Sequence, residues 1–207
     1  CRVIVLTGAG RAFCAGGDVA YMASLQASND RASFRKLLDA GRDVVLQIAA
    51  SSKPVIASVN GIAAGAGCNL ALACDYRIAS DQAKLGETFI RIGLHPDWGG
   101  TWLLPRLVGR GRATELMMTG RMVDAQEALA IGLVDRVVGA PALADETTKL
   151  ARAIAEGSPL AIAAIKRSVA ASDRNELRAQ LELESEQQLE CFASDEARER
   201  IAAFGAR

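Results

Sequence analysis

The sequence predicts an α/β fold in which strands alternate with helices first and helices follow alone at the end. Short β-branched, apolar runs ended by glycine or a polar residue recur in the first part, as is typical of buried strands. From Ala142 onward, apolar residues follow helical spacing. Alternating strands and helices favour a parallel sheet. We therefore predict an α/β core over residues 1–140 and a helical C-terminal region over residues 141–207.

The individual elements follow from local patterns. The predicted strands cover residues 2–7, 55–59, 75–79 and 133–138. The predicted helices cover residues 30–48, 67–73, 101–108 and 112–118, one that begins at Asp124, and then 142–155, 158–171, 175–191 and 194–204. Residues 8–17 and 61–66 are predicted as glycine-rich turns and 83–100 as an irregular loop. Lys53-Pro54 ends the first long helix, because proline cannot continue one.

Composition excludes several classes of function. The 207 residues carry 24 basic and 24 acidic side chains, so no basic nucleic-acid surface is indicated. The one histidine, His95, excludes a His-ligated metal cluster. Five cysteines without a CxxC pair favour a reduced, cytoplasmic protein with free thiols. No signal peptide is visible and the chain does not begin with Met, so we expect the natural N-terminus to lie upstream.

Residues 54–74 form a stretch long enough to raise the question of a membrane span. The stretch contains Ser58, Asn60 and Asn69 together with three glycines, and alanine dominates its apolar content. We therefore predict a buried strand, turn and helix here, and no membrane partner.

Two glycine-rich segments, residues 13–18 and 60–69, share one design. Each follows a predicted strand and opens a helix. Small side chains let a ligand approach the backbone N–H groups, and two such groups aimed at one point form an oxyanion hole. The alternative is that both are ordinary turns that need glycine. A dinucleotide fingerprint is not favoured, because Phe13 and Leu70 stand where a third glycine belongs.

Asp97 lies between Pro96 and Trp98 in the glycine-rich loop. A carboxyl group beside a large apolar ring can have a raised pKa and transfer protons. The alternative is that Asp97 caps the next helix, as aspartate commonly does. His95 is a weaker candidate for a base, and Asp18 is a candidate cap for the helix after Gly17.

Taken together, these residues resemble the enoyl-CoA hydratase/isomerase (crotonase) family. The similarity is carried by residues 2–18, 53–68, 96–101 and 128–135 and covers nearly the whole chain. It implies a crotonase-like ββα spiral with a helical C-terminal trimerisation region, and it implies that roughly the first turn of the spiral is absent from this chain. It also implies homotrimers, often paired into hexamers.

The resemblance implies an acyl-CoA thioester as substrate, with coenzyme A as part of the substrate and no separate cofactor or metal. In the family, two backbone N–H groups hold the thioester carbonyl and stabilise the enolate that proton abstraction creates. By position these donors fall on Gly17 and Ala66. Ala15, Asp18 and Gly65 fall in the same substrate-binding segments. A cytoplasmic enzyme of fatty-acid or phenylacetate metabolism is expected.

The chain departs from the family's hydratases at two positions. The two glutamates that activate water fall on Asn69 and Phe89. Asp97 falls where the family's isomerases place an acid, and the sequence around it looks most like the ring-epoxide isomerase branch of phenylacetate degradation. We therefore predict an isomerase with Asp97 as acid/base and with Asn69 as polar lining of the pocket. Trp98 and Phe89 are expected as its apolar wall.

Two other functions stay open at this point. A hydratase with relocated acid/base groups is possible if a shift of the loop brings Glu87 into the site. A member of the family that binds acyl-CoA without catalysis is the other.

Overall fold

The computed structural model describes residues 1–205, which contain two four-stranded sheets. One sheet has the order β1-β3-β5-β8 and the other β2-β4-β6-β7. The strands are β1 (Ile4–Thr7), β2 (Ala12–Cys14), β3 (Val55–Val59), β4 (Ile62–Ala64), β5 (Tyr76–Ser80), β6 (Lys84–Gly86), β7 (Val123–Asp124) and β8 (Arg136–Val138). The β3–β5–β8 and β2–β4–β6 pairings are parallel, and β7 runs antiparallel to β6.

Within residues 1–205, ten α-helices connect and follow these strands. They are α1 (Val19–Ala27), α2 (Arg31–Ala50), α3 (Ala66–Leu72), α4 (Gly100–Val108), α5 (Arg110–Thr119), α6 (Ala125–Ala130), α7 (Leu143–Ala155), α8 (Pro159–Ser172), α9 (Leu177–Phe192) and α10 (Asp195–Gly205). Two short 3-10 helices cover Thr88–Ile92 and Ala140–Ala142.

The order of elements repeats a simple unit. A strand of the first sheet is followed directly by a strand of the second sheet, and helices then return the chain to the first sheet. The strand pairs β1–β2, β3–β4 and β5–β6 follow this order, and after β5–β6 the chain adds β7 to the second sheet before it returns to the first sheet at β8. Because β2, β4 and β6 are neighbours in one sheet, the turns and helices that follow them are brought to the same edge.

The first sheet forms the centre of the core. All five residues of β3 are buried, and Ile56 and Ile78 are fully excluded from solvent. A strand covered on both faces is apolar along its length rather than alternating, which is why residues 55–59 are easy to detect in the sequence. The prediction of a strand there is confirmed.

Contacts divide the chain into two compact units. One contains Val5–Ala50 and Val55–Lys149, and therefore nearly all of both sheets and helices α1 to α6. The other combines Cys1–Ile4 and Ser51–Pro54 with the chain from Leu150 onward. Within this second unit, the Arg2 guanidinium donates to the carbonyl oxygen of Ala155 at 2.9 Å.

The α/β class and the helical C-terminal region are confirmed, but three local predictions were wrong. The turns predicted at 8–17 and 61–66 contain β2 and β4, and the loop at 83–100 contains β6 and a 3-10 helix. Strands of three residues are too short to show an alternating pattern. Residues 54–74 are divided among β3, β4 and α3, and no helix in residues 1–205 has the length and apolar character needed to cross a bilayer.

Candidate active site

The two glycine-rich bends lie side by side because β2 and β4 are paired in parallel. Ala12 is the partner of Ile62, and Cys14 of Ala63, so both chains leave the sheet at the same edge. A β-carbon built on Gly16 would lie only 2.8 Å from the carbonyl oxygen of Ala64. Gly16 has a φ of +96°, in the left-handed region that favours glycine. The two backbones therefore approach as closely as glycine permits.

Each bend leads into a helix. In the first, the Asp18 carboxylate accepts the N–H of Tyr21 at 3.0 Å and caps α1, so the predicted capping role is confirmed. In the second, Ala66 is the first residue of α3, where a backbone N–H has no acceptor within its own helix. Gly17 and Ala15 are exposed, whereas Ala66 is buried. The assignment of Gly17 and Ala66 as paired donors stays a prediction.

Asn69 connects α3 to the loop that carries Asp97. Its side chain is fully buried, and Nδ2 donates to the main-chain oxygen of Asp97 at 2.8 Å and to Glu87 Oε2 at 3.4 Å. A β-carbon built on Gly100 would lie 2.8 Å from Cγ of Asn69, so glycine is needed where α4 begins. Asn69 is therefore a structural link as well as a polar side chain, one helical turn from Ala66.

Asp97 is half-buried and does not cap α4. That helix begins at Gly100 with Gly99 as its cap residue, so the capping alternative is wrong. The Asp97 main-chain oxygen also accepts the N–H of Gly100 at 3.1 Å. Its carboxyl Oδ1 is buried and has no hydrogen-bond partner within residues 1–205. Burial raises the pKa of Asp97, while its own backbone N–H and the charge of His95 lower it.

Glu87 is a second buried carboxyl group at this site. Its side chain is 1% exposed, immediately after β6, and Oε1 has no partner within residues 1–205. Burial raises the pKa of Glu87 to about 7; hydrogen bonds from Cys68 and Asn69 oppose the rise, and the charge of Asp97 adds to it. From the sequence, Glu87 is expected in the site only if the loop shifts. The structure needs no shift, because the pairing of β6 with β4 already places this residue beside α3.

Phe89 and Trp98, the two predicted wall residues, lie in different places. Phe89 is buried, and its ring carbons lie 3.7 Å from a β-carbon built on Gly65. Trp98 has a φ of +48°, and its indole packs directly over Gly41 in α2.

A cavity of about 780 Å³ lies between α1, α2 and the chain that follows the 3-10 helix. Most of its lining is apolar, and includes Val19, Met22, Leu25, Phe34, Leu38, Ile92 and Leu94. Asp30, Arg31 and Arg35 add charge to the lining. Met22 also borders the first bend, since its Cε would lie 3.3 Å from a β-carbon on Gly17. Met22 therefore belongs both to the lining of this cavity and to the surroundings of one of the two predicted donors.

Within residues 1–205, no group of three His, Cys, Asp or Glu side chains is arranged to bind a metal ion. The five cysteines form no disulfide within residues 1–205, and Cys68 and Cys74 are buried.

Several solved structures with the same fold carry the name enoyl-CoA hydratase. A crystal structure of an enoyl-CoA hydratase from Bacillus anthracis matches with a TM-score of 0.94 and 37% identity, over 99% of this chain and 78% of that one. The chain therefore has the crotonase-type α/β fold.

Comparisons of sequence agree with the fold. The enoyl-CoA hydratase/isomerase family model matches residues 1–207. Crotonyl-CoA hydratase of Syntrophomonas wolfei is 39% identical over 204 residues, which cover 98% of this chain and 77% of that protein. The 1,2-epoxyphenylacetyl-CoA isomerase of Escherichia coli is 40% identical over 215 residues, which cover 100% of this chain and 79% of that protein. The chain belongs to the enoyl-CoA hydratase/isomerase family and is an enzyme of that family.

Proposed function

We propose that this chain is an acyl-CoA isomerase in which Asp97 moves a proton between two carbons of a thioester-activated acyl group. The observation that carries this proposal is the contrast between the two carboxyl groups of the site. Glu87 is 1% exposed and hydrogen-bonded to Asn69, whereas Asp97 is only half-buried. A proton-transfer group must reach the substrate, so Asp97 is the better candidate.

The proposed reaction needs no group beyond the chain and its substrate. The Asp97 carboxylate takes a proton from the carbon next to the thioester carbonyl, and the electron pair of that C–H bond passes into an enolate. The N–H groups of Gly17 and Ala66 stabilise the charge on the enolate oxygen, each by about 3–4 kcal/mol. The protonated Asp97 then returns its proton to a carbon further along the chain, which completes the shift of a double bond.

Contacts across the site support this arrangement. The close approach of Gly16 to the second bend brings the proposed donors into one region. Asn69 lies on the same helix as Ala66 and is hydrogen-bonded to the backbone of Asp97. Burial raises the pKa of Asp97, which suits a group that must both accept and return a proton. The largely apolar cavity that Met22 lines suits an acyl or aryl tail.

The first prediction tests Asp97 directly. Asp97→Asn keeps the size of the side chain but removes its acid/base function, so we expect isomerisation of a 3-enoyl-CoA ester to fall by about 10²–10⁴-fold. Binding of the CoA ester, measured by calorimetry, should remain. Wild-type turnover in this variant would show that the role given to Asp97 is wrong.

Hydration of a 2-enoyl-CoA ester is the second candidate function. Two observations favour it: most of the similar curated proteins are named hydratases, and Glu87 supplies a second carboxyl group beside Asn69. The two functions are separated by incubating the protein with crotonyl-CoA and following the loss of the conjugated thioester. Hydration that is abolished by Glu87→Gln but not by Asp97→Asn would establish the second candidate in place of the first.

A further inference from the structure

We infer that Trp98 and Gly41 form a positioning pair that holds the Asp97 carboxyl group in its working orientation. The inference rests on the proposed role of Asp97 and adds two residues that do not themselves transfer protons. The observation behind it is the packing of the Trp98 indole against the backbone of α2 at Gly41.

Gly41 leaves a gap in the middle of α2, a helix of 20 residues. Glycine disfavours the interior of a helix relative to alanine, so its presence there calls for a packing reason. Gly41 is buried, and a β-carbon built on it would overlap Nε1 and Cε2 of the Trp98 indole. The indole therefore occupies space that only glycine leaves free.

The backbone of Trp98 is held in an unusual conformation. Its φ of +48° lies in the left-handed region, which a bulky side chain rarely adopts and which persists only where the surroundings enforce it. The next residue, Gly99, also faces α2, because a β-carbon there would lie 3.7 Å from Cγ1 of Val45. The Trp98 indole and the backbone of Gly99 are therefore both packed against α2.

The other side of the same turn is fixed to α3. The main-chain oxygen of Asp97 accepts Nδ2 of Asn69 at 2.8 Å and the N–H of Gly100 at 3.1 Å. Asp97 is therefore anchored twice: its own main-chain oxygen is hydrogen-bonded to Asn69 on α3, and the indole of the next residue, Trp98, packs on α2. Loss of the indole leaves one anchor, so the carboxyl group gains freedom relative to the substrate.

The kinetic consequence differs from that of simple destabilisation. Misplacing a reacting group by about 1 Å can reduce the rate about 100-fold without loss of substrate binding. We expect Trp98→Ala and Gly41→Ala to lower kcat for the 3-enoyl-CoA ester by about 10–100-fold with little change in KM. Trp98→Phe, which keeps a flat ring in the gap, should retain most of the wild-type kcat.

A double-mutant cycle tests whether the two residues act through each other. If the alanine at position 41 acts by expelling the indole, Gly41→Ala should cause no further loss of kcat once Trp98 is alanine. If both act through Asp97, Trp98→Ala should cause no further loss in the Asp97→Asn background. Trp102→Ala is the matched control, because Trp102 is 46% exposed on α4 and its ring packs against Arg106.

The outcomes separate this inference from the proposed function. Wild-type turnover in Asp97→Asn would contradict both the proposed function and the inference that rests on it. A loss of turnover in Asp97→Asn together with an unchanged kcat in Gly41→Ala would contradict the positioning pair but leave the proposed function standing. If Trp98→Ala does not fold, the kcat values of Gly41→Ala and Trp98→Phe test the positioning pair instead. Both variants are expected to fold, because alanine favours a helix and phenylalanine keeps an aromatic ring at position 98. Additive losses of kcat in the double variant would also overturn the pair.

Discussion

At the scale of single residues, Glu87 is a buried carboxyl group whose negative charge is unfavourable and is removed by protonation. Three buried side-chain oxygens at the site have no partner within residues 1–205, namely Oδ1 of Asn69, Oε1 of Glu87 and Oδ1 of Asp97. All three are acceptors unless a carboxyl group is protonated. A neutral Glu87 supplies one O–H donor and removes a buried charge. The pKa of about 7 places this change within the physiological range.

The second prediction follows from this pKa. The folded value of about 7 lies above the ordinary 4.5, so between these values the folded protein binds more protons than the unfolded chain. The free energy of unfolding therefore falls as pH rises through this window, by about 3 kcal/mol for a shift of this size. Glu87→Gln removes the titration. From about pH 5 to about pH 8, its stability should rise relative to wild type, measured by urea unfolding.

An exposed glutamate provides the comparison. Glu199→Gln on α10 makes the same chemical change at the surface and should leave the pH dependence of unfolding as in wild type. A Glu87→Gln protein that loses stability with rising pH as steeply as wild type would show that another group titrates in this range.

The contrast between Asp97 and Glu87 shows what the sequence can reveal at this scale. Asp97 is flanked by proline, tryptophan and two glycines, so its unusual setting is visible in the sequence. Glu87 follows a strand of three residues and has no such neighbours. Its burial arises from the pairing of β6 with β4 and from contact with Asn69, eighteen positions away. These are tertiary effects, and only an acidic residue directly after the buried Leu85-Gly86 hints at them.

At the scale of elements, the three-residue strands β2 and β4 hold the site together. The sequence predicts the long strand β3 and most of the helices to within a few residues, because their periodicity extends over many positions. It gives no bounds for α1 (Val19–Ala27), for which only the cap residue Asp18 is predicted. Three residues next to glycines carry no usable period, so β2 and β4 are absent from the prediction. Their pairing with each other is nevertheless what brings the two bends together.

The third prediction tests the contact between these elements. Gly67 in α3 packs against the backbone of Cys14 at the end of β2, and a β-carbon there would overlap its carbonyl oxygen. Gly67→Ala forces α3 away from β2, so we expect a loss of about 1–3 kcal/mol in stability. Activity should fall as well, because the two proposed N–H donors move apart.

Gly111 is the matched control for this change. It lies in α5, and a β-carbon built on it meets nothing within 4 Å. Gly111→Ala should therefore leave activity unchanged and stabilise the protein by up to about 1 kcal/mol, through helix propensity alone. Thermal unfolding and steady-state kinetics on both variants check the pair. Equal behaviour of the two would mean that the close approach of α3 to β2 does not matter.

At the scale of the whole molecule, the C-terminal helix α9 leaves an apolar surface uncovered. None of its sixteen residues is buried, and Leu177, Leu189 and Phe192 are at least two thirds exposed. Leu181 is also about half exposed. Monomeric proteins rarely leave such a surface in water, and an interface between copies of a chain is the usual reason for one. We propose that α9 contributes to a homotrimer, the assembly that the family resemblance implies.

The fourth prediction concerns this assembly and uses light scattering after gel filtration. The wild-type protein should have three or six times the mass of one chain. Replacing Leu181 and Leu189 together by glutamate places two charges on the α9 surface, so the mass should fall to that of a single chain while the helical circular dichroism remains.

Met118→Glu is the control, because it makes the same kind of change at an exposed residue of α5 and should leave the mass unaltered. A wild-type protein that already elutes as a monomer would contradict the assembly, and dissociation by Met118→Glu as well would show that α9 has no special part in it.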